Sequence, residues 1–175
     1  GQTPVDVGAI GCDFLSATGR KFLRGPRGSG FLYVARKWLE TLEPVMIDHF
    51  AAPWVAKDKY QLRDDARRFE TWENSYALRA GLGAAVEYAA ALGLAAIQNR
   101  VWKLASTCRD MLKQLPGAKI RDIGAQQCAI VSFTIDGLEP RETVAVLRQQ
   151  GIAIGASDPS STRLDAEARK LPGVM

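Results

Sequence analysis

Two short runs, CDFLSA (Cys12–Ala17) and GFLYV (Gly30–Val34), are almost wholly apolar and do not alternate polar with apolar positions. A strand with one wet face alternates, whereas a strand covered on both faces does not. The runs therefore predict strands buried on both sides, as in the parallel sheet of an α/β domain. Between them lies TGRKFLRGPRGS, where Arg20, Lys21, Arg24 and Arg27 stand among Gly19, Gly25 and Gly28. The glycines allow a tight turn between two buried strands. They do not form a dinucleotide fingerprint, because Gly25-Pro26-x-Gly28-x-Gly30 has the wrong spacing and no helix follows in the right place.

Beyond the second strand, ARKWLETLEP reads as a short helix stopped before Pro44. Residues 45–73 hold one proline, two tryptophans and many charges without a sustained period. A connection of that length in a compact protein is more often functional than idle. Asn74 or Ser75 then caps a helix with an apolar stripe of Leu78, Leu82, Ala85, Val86 and Ala89, ended by Gly93. Gly81 and Gly83 within it point to close packing against another backbone. A second helix runs from Leu94 to Leu115, with apolar residues spaced by three and four, and Pro116-Gly117 stops it.

The pattern changes from Ala118. AKIRDI, AIVSFTI and IAIGA predict strands, and EPRETVAVLRQQG predicts a helix with Pro140 in its first turn. This β-β-α-β unit reads as a small α+β domain. The expected division is 1–92 for a larger domain with its long connection, and 93–175 for a linking helix and the small domain. Residues 158–170, rich in Ser, Asp, Pro and charge, are expected to move.

Composition removes several classes of function. No apolar run approaches the roughly 20 residues of a membrane helix, and no signal peptide is visible, so a cytoplasmic protein is expected. The net charge of +4 is spread among acids, as in KDKYQLRDDARRFE, and no nucleic-acid motif occurs. The three cysteines (Cys12, Cys108, Cys128) form no CxxC and are expected to be reduced core residues. The single histidine, His49, excludes a multi-histidine metal site. It is open to three roles: a general base, a pocket-lining residue or an ordinary loop histidine. With Trp54, Tyr60 and Trp72 it either lines a substrate cleft or packs as an aromatic cluster.

Lys21 carries the chemistry. A lysine amine forms a Schiff base with a carbonyl when burial or neighbouring cations make it nucleophilic. Arg20 and Arg24 supply cations, and a buried strand would point the stem of Lys21 into a cleft. Thr18 and Gly19 add a hydroxyl and a backbone amide, groups that hold phosphate. Such a set suits pyridoxal phosphate, with its aldehyde on Lys21 and its phosphate beside Thr18 and Arg20. The same residues also suit a surface loop that binds an anion or a protein partner, or a dimerisation lobe.

The stretch CDFLSATGRKFLRGPRGSGFLYV resembles the lysine segment of the class V aminotransferase superfamily, which includes cysteine desulfurases, selenocysteine lyases and isopenicillin N epimerase-like proteins. The shared pattern is an Asp-bearing strand, a small or hydroxyl residue, Gly, His and Lys, then a GPxGxG loop and an apolar strand. The match covers about 23 contiguous residues, and the later helices and small lobe follow in the same order. The resemblance implies part of the large domain of a fold type I pyridoxal phosphate transferase, followed by its small domain. It further implies a Schiff base on Lys21, a phosphate contact from Thr18, an amino-acid substrate, a reaction open among transamination, C–S elimination and epimerisation with the first two ahead, and a homodimer.

The sequence departs from that pattern in places. Arg20 stands where the family has histidine. The stretch Phe69–Asn74 lacks the Gly-Thr pair with which many members reach the partner subunit's phosphate. No cysteine follows IAIGA, which speaks against persulfide chemistry in this chain. In the family the aspartate that pairs with the pyridine nitrogen precedes a segment like GQTPVDV, and the carboxylate-binding arginine follows a strand like Gly173–Met175. The chain is thus expected to be a C-terminal part of an enzyme, inactive alone.

Overall fold

The computed structural model describes residues 1–175 and divides the chain into two compact units, Gly1–Ala96 and Ile97–Met175.

In the first unit a single helical turn, α1 (Val7–Ile10), is capped by the Asp6 carboxylate, which accepts from the Gly8 and Ala9 amides. Strand β1 (Phe14–Thr18) then pairs with β2 (Gly30–Val34), with Phe14 opposite Val34 and Thr18 opposite Gly30. The pair is antiparallel and stands as a two-stranded sheet. Expected burial on both faces is not met, for Phe14, Phe31 and Leu32 are each exposed by more than two-fifths. Apolar runs report what a strand demands of its surroundings. They do not report the direction of its partner, which the glycine loop sets by turning the chain straight back.

The long connection has more order than its composition suggests. A 3-10 turn covers Arg36–Trp38, a hairpin joins β3 (Trp54–Ala56) to β4 (Lys59–Tyr60), and a second 3-10 turn covers Ala66–Phe69. The Asp48 carboxylate accepts from the amides of Phe50 and Ala51 and, across 24 residues, from Trp72 at 2.6 Å. Helix α2 (Tyr76–Leu92) begins at Ser75, whose hydroxyl accepts from the Leu78 amide. Gly93 ends it at φ 84°, donating to the carbonyls of Ala89 and Ala90. Helix α3 (Leu94–Leu112) follows at once.

The second unit packs on the inner face of α3, where Ala105 and Arg109 are buried. Strand β5 (Ala118–Ile120) pairs antiparallel with β6 (Phe133–Ile135), and α4 (Pro140–Gln149) follows with Pro140 in its first turn and the Glu139 carboxylate as cap. A 3-10 turn at Pro159–Thr162 leads into α5 (Arg163–Arg169), an ordered stretch where sequence composition suggested movement. The chain then returns to β6, where Phe133 and Met175 exchange both backbone hydrogen bonds. IAIGA, expected as a strand, pairs with none; the nearest pairing is an isolated bridge between Ser157 and Val174. AIVSFTI contributes only its last three residues to a strand.

The cysteines differ from expectation. Cys12 is half-buried, while Cys108 and Cys128 are exposed and all three are free. Cys108 belongs to the outer edge of the α3 stripe, with Leu104 and Met111, both more than half exposed. Cys128 lies in an irregular stretch, where Ile130 donates to its sulfur.

Candidate active site

Lys21 sits just beyond β1, on a loop closed at its foot. Gly19 donates to the Ser29 carbonyl at 2.8 Å, and its own carbonyl accepts from Gly25 at 2.9 Å. Within that ring the Arg24 amide donates to the Lys21 carbonyl at 2.9 Å. The Ser29 hydroxyl fastens the far side by donating to Pro26 at 2.7 Å. Residues 20–24 therefore form a small bulb, with Lys21 on it and Gly19 and Gly25 at its neck.

The glycines serve the neck and its seat on α2. A Cβ on Gly19 would lie 2.6 Å from the Ser29 hydroxyl and 2.7 Å from Leu82. One on Gly81 would lie 2.6 Å from Pro26, and one on Gly30 would lie 2.4 Å from the Ala17 carbonyl oxygen. Gly83, by contrast, has nothing within 4 Å, so only one of the two helix glycines marks a close approach.

Lys21 is exposed, not sunk in a cleft within this unit. Its amine makes no ion pair or hydrogen bond, and neither does the guanidinium of Arg20. The Thr18 hydroxyl makes only a long contact, 3.5 Å, to the Ser29 carbonyl. Amine, guanidinium and hydroxyl are thus close in sequence and uncommitted. Arg24 is different: its guanidinium lies 4.8 Å from the centre of the Tyr88 ring on α2. In the sequence Arg24 stands as one of the cations beside Lys21, and nothing local signals a ring 64 residues away.

The aromatic candidates separate into two groups. His49 lies tilted against Trp72, ring centres 4.9 Å apart, with Phe50 edge-on to Trp72 at 5.9 Å. Trp54 faces Tyr60 across the β3–β4 hairpin. No hydrogen bond, ion pair or ring contact joins either group to Lys21. Asp48 organises the first group, and the Trp72 amide that donates to it holds its carboxyl below the usual carboxylate range. The Ala51 and Phe50 amides reinforce this against the opposing effect of burial. No set of three or more His, Cys, Asp or Glu side chains is placed to hold a metal ion.

A lysine on the turn after a strand, followed by a glycine loop, two helices and an α+β unit, defines part of a fold type I pyridoxal phosphate enzyme, an α/β class. More narrowly, the chain belongs to the class-V aminotransferase family, whose model matches residues 1–168. A probable cysteine desulfurase from Xylella fastidiosa is 31% identical over 150 residues, covering 86% of this chain and 36% of that protein. The apo cysteine desulfurase of Thermococcus onnurineus superposes with a TM-score of 0.89 at 26% identity, over 99% of this chain and 43% of that one. The cystine C–S lyase C-DES, solved with its reaction product cysteine persulfide, superposes with a TM-score of 0.78 at 28% identity, over 89% of this chain and 42% of that one. A mutant of C-DES carries glycine covalently linked to the PLP cofactor. The chain spans a little over a third of the length of the curated relative from Xylella.

Proposed function

We propose that this chain carries the cofactor-lysine portion of a pyridoxal phosphate enzyme acting on an amino acid, of the C–S lyase or aminotransferase type. One observation carries the reading. Lys21, Arg20 and Thr18 present an uncommitted amine, cation and hydroxyl on a loop whose neck is fixed by Gly19 and Gly25. That donor set fits the group: a primary amine for its aldehyde, and a cation and a hydroxyl for its phosphate.

In this reading Lys21 Nζ would hold the cofactor by its aldehyde carbon, and the same amine would take up the substrate's α-proton and return it. The Thr18 hydroxyl donates to a phosphate oxygen, and the Arg20 guanidinium balances phosphate charge. When bound, pyridoxal phosphate supplies the sink for the electron pair left at the substrate's α-carbon. Between the two reaction types, lysis is favoured by the relatives, a group of cysteine desulfurases and a cystine C–S lyase. Segment 152–175 contains no cysteine, so sulfur released by lysis would leave with the product and not on a thiol of that segment. A homodimer is part of the proposal, supported by Val45, Met46 and Trp54, which are 102%, 79% and 74% exposed.

The test uses the full-length protein supplied with pyridoxal phosphate. A visible absorbance band is expected, bleached by borohydride as the cofactor becomes fixed to Lys21, and absent in Lys21→Ala. Cysteine persulfide released from cystine, without amino transfer to an oxo acid, selects lysis. No band, with inorganic phosphate held by the basic loop instead, would favour an anion-binding domain.

A further inference from the structure

Arg24 is one of only two non-glycine residues with positive φ, at 61°. The other, Lys170, terminates a helix, a common place for that conformation. Arg24 does not, so something must hold it there against the steric preference of an L-residue. Three contacts do so. Its amide donates to the Lys21 carbonyl, the next amide donates to Gly19, and its guanidinium lies 4.8 Å from the Tyr88 ring centre. Tyr88 stands seven residues after Gly81, hence on the same line of α2 as the residue against which Pro26 packs.

We propose that Arg24 and Tyr88 form a latch that positions Lys21. The left-handed residue reverses the chain immediately after the bulb and brings Gly25 to the neck. The Arg24 side chain, clamped over Tyr88, fixes that reversal to a rigid helix. Lys21 is the first residue of the resulting turn, so its backbone is referenced to α2 instead of floating with the loop. A lysine that is to meet a cofactor aldehyde gains most from such fixing, because reaction depends on placing the amine at one spot. This role rests on the reading of Lys21 as the cofactor lysine, but the latch itself does not.

The experiment has two readouts on the full-length protein and its variants Arg24→Ala, Arg24→Lys, Tyr88→Leu and Tyr88→Phe. The first, without cofactor, is hydrogen exchange at the Arg24 and Gly25 amides. The second is the share of pyridoxal phosphate trapped on Lys21, relative to other lysines, by borohydride and peptide mass mapping. A cation over a ring at an exposed site corresponds to about a two- to fivefold change in either readout. Arg24→Ala and Tyr88→Leu should show that loss, while Arg24→Lys and Tyr88→Phe, which keep a cation and a ring, should stay near wild type. Unchanged amide exchange in Arg24→Ala and Tyr88→Leu overturns the latch, whatever the cofactor does. Faster exchange with unchanged trapping overturns the positioning role. Wild-type protein that traps no cofactor on Lys21 overturns the cofactor reading and the role with it, and the exchange data show which of the two failed.

Discussion

Replacing Arg109 by methionine should unfold the second unit at much lower denaturant. Arg109 is 5% exposed, and its Nε donates to Asp122 at 2.7 Å. Its Nη2 donates to the carbonyls of Cys128 and Ile130, each at 2.8 Å. The other Asp122 oxygen is bound by the Ser132 amide and hydroxyl. Methionine fills similar space but strands a nearly buried carboxylate and two carbonyl oxygens. Breaking one partner of a buried pair costs about 3–5 kcal/mol. With a urea slope of about 1.5 kcal/mol per molar, the midpoint should fall by about 2–3 M. The assay is urea unfolding followed by circular dichroism and by the fluorescence of Trp102, which lies on the same helix. Arg109→Met combined with Asp122→Asn removes both charges while keeping an acceptor for Ser132, and should recover part of the loss. A loss below about 1 kcal/mol in the single variant, or no recovery in the double, would refute the reasoning. The effect of pH has a definite sign. Burial tends to raise the Asp122 carboxyl, but the Ser132 hydroxyl and Arg109 outweigh it, so its folded value is lowered. The contribution is therefore complete above the unfolded carboxylate value, about 3.9, and is lost as pH falls below it. The gap between wild type and Arg109→Met should narrow in that acid window.

Two further predictions rest on single contacts. Gly81→Ala drives a methyl to 2.6 Å from Pro26 and should cost about 1–3 kcal/mol, whereas Gly83→Ala meets open space and should stabilise α2 by about 0.5–1 kcal/mol; thermal melts of both variants decide. Exposed Cys108 and Cys128 should react with a thiol reagent in the native protein well before half-buried Cys12, as peptide mapping over time would show.

What the sequence made legible was local. Ser75 and Gly93 bound α2 because a hydroxyl cap and a left-handed glycine act within a few residues. Pro140 and its neighbour Glu139 opened α4 for the same reason. Lys21, Thr18 and Arg20 were singled out as candidates because their chemistry lies within four residues. Pairing direction was not legible, because β1 and β2 are apolar whether their partners run parallel or antiparallel. IAIGA has strand-like composition, but a strand also needs a neighbour, and none lies beside it. Burial of Cys108 was inferred from an apolar stripe, yet α3 covers only the face bearing Ala105 and Arg109. Asp48 to Trp72 and Arg24 to Tyr88 span 24 and 64 residues, and no periodicity encodes such contacts.

The closed neck of the lysine loop has a consequence for how such a chain can vary over time. A side chain at Gly30 would meet the Ala17 carbonyl oxygen at 2.4 Å, one at Gly19 would meet the Ser29 hydroxyl and Leu82 at 2.6 and 2.7 Å, and one at Gly25 would crowd the Gly19 carbonyl oxygen at 3.1 Å. Arg20, by contrast, is exposed on the bulb, where a change of side chain typically alters stability by less than about 0.5 kcal/mol. The loop thus separates a handle that resists larger side chains from a tip that tolerates them. A substitution at Arg20, beside Lys21, can therefore change the charge presented there while the scaffold beneath registers almost nothing.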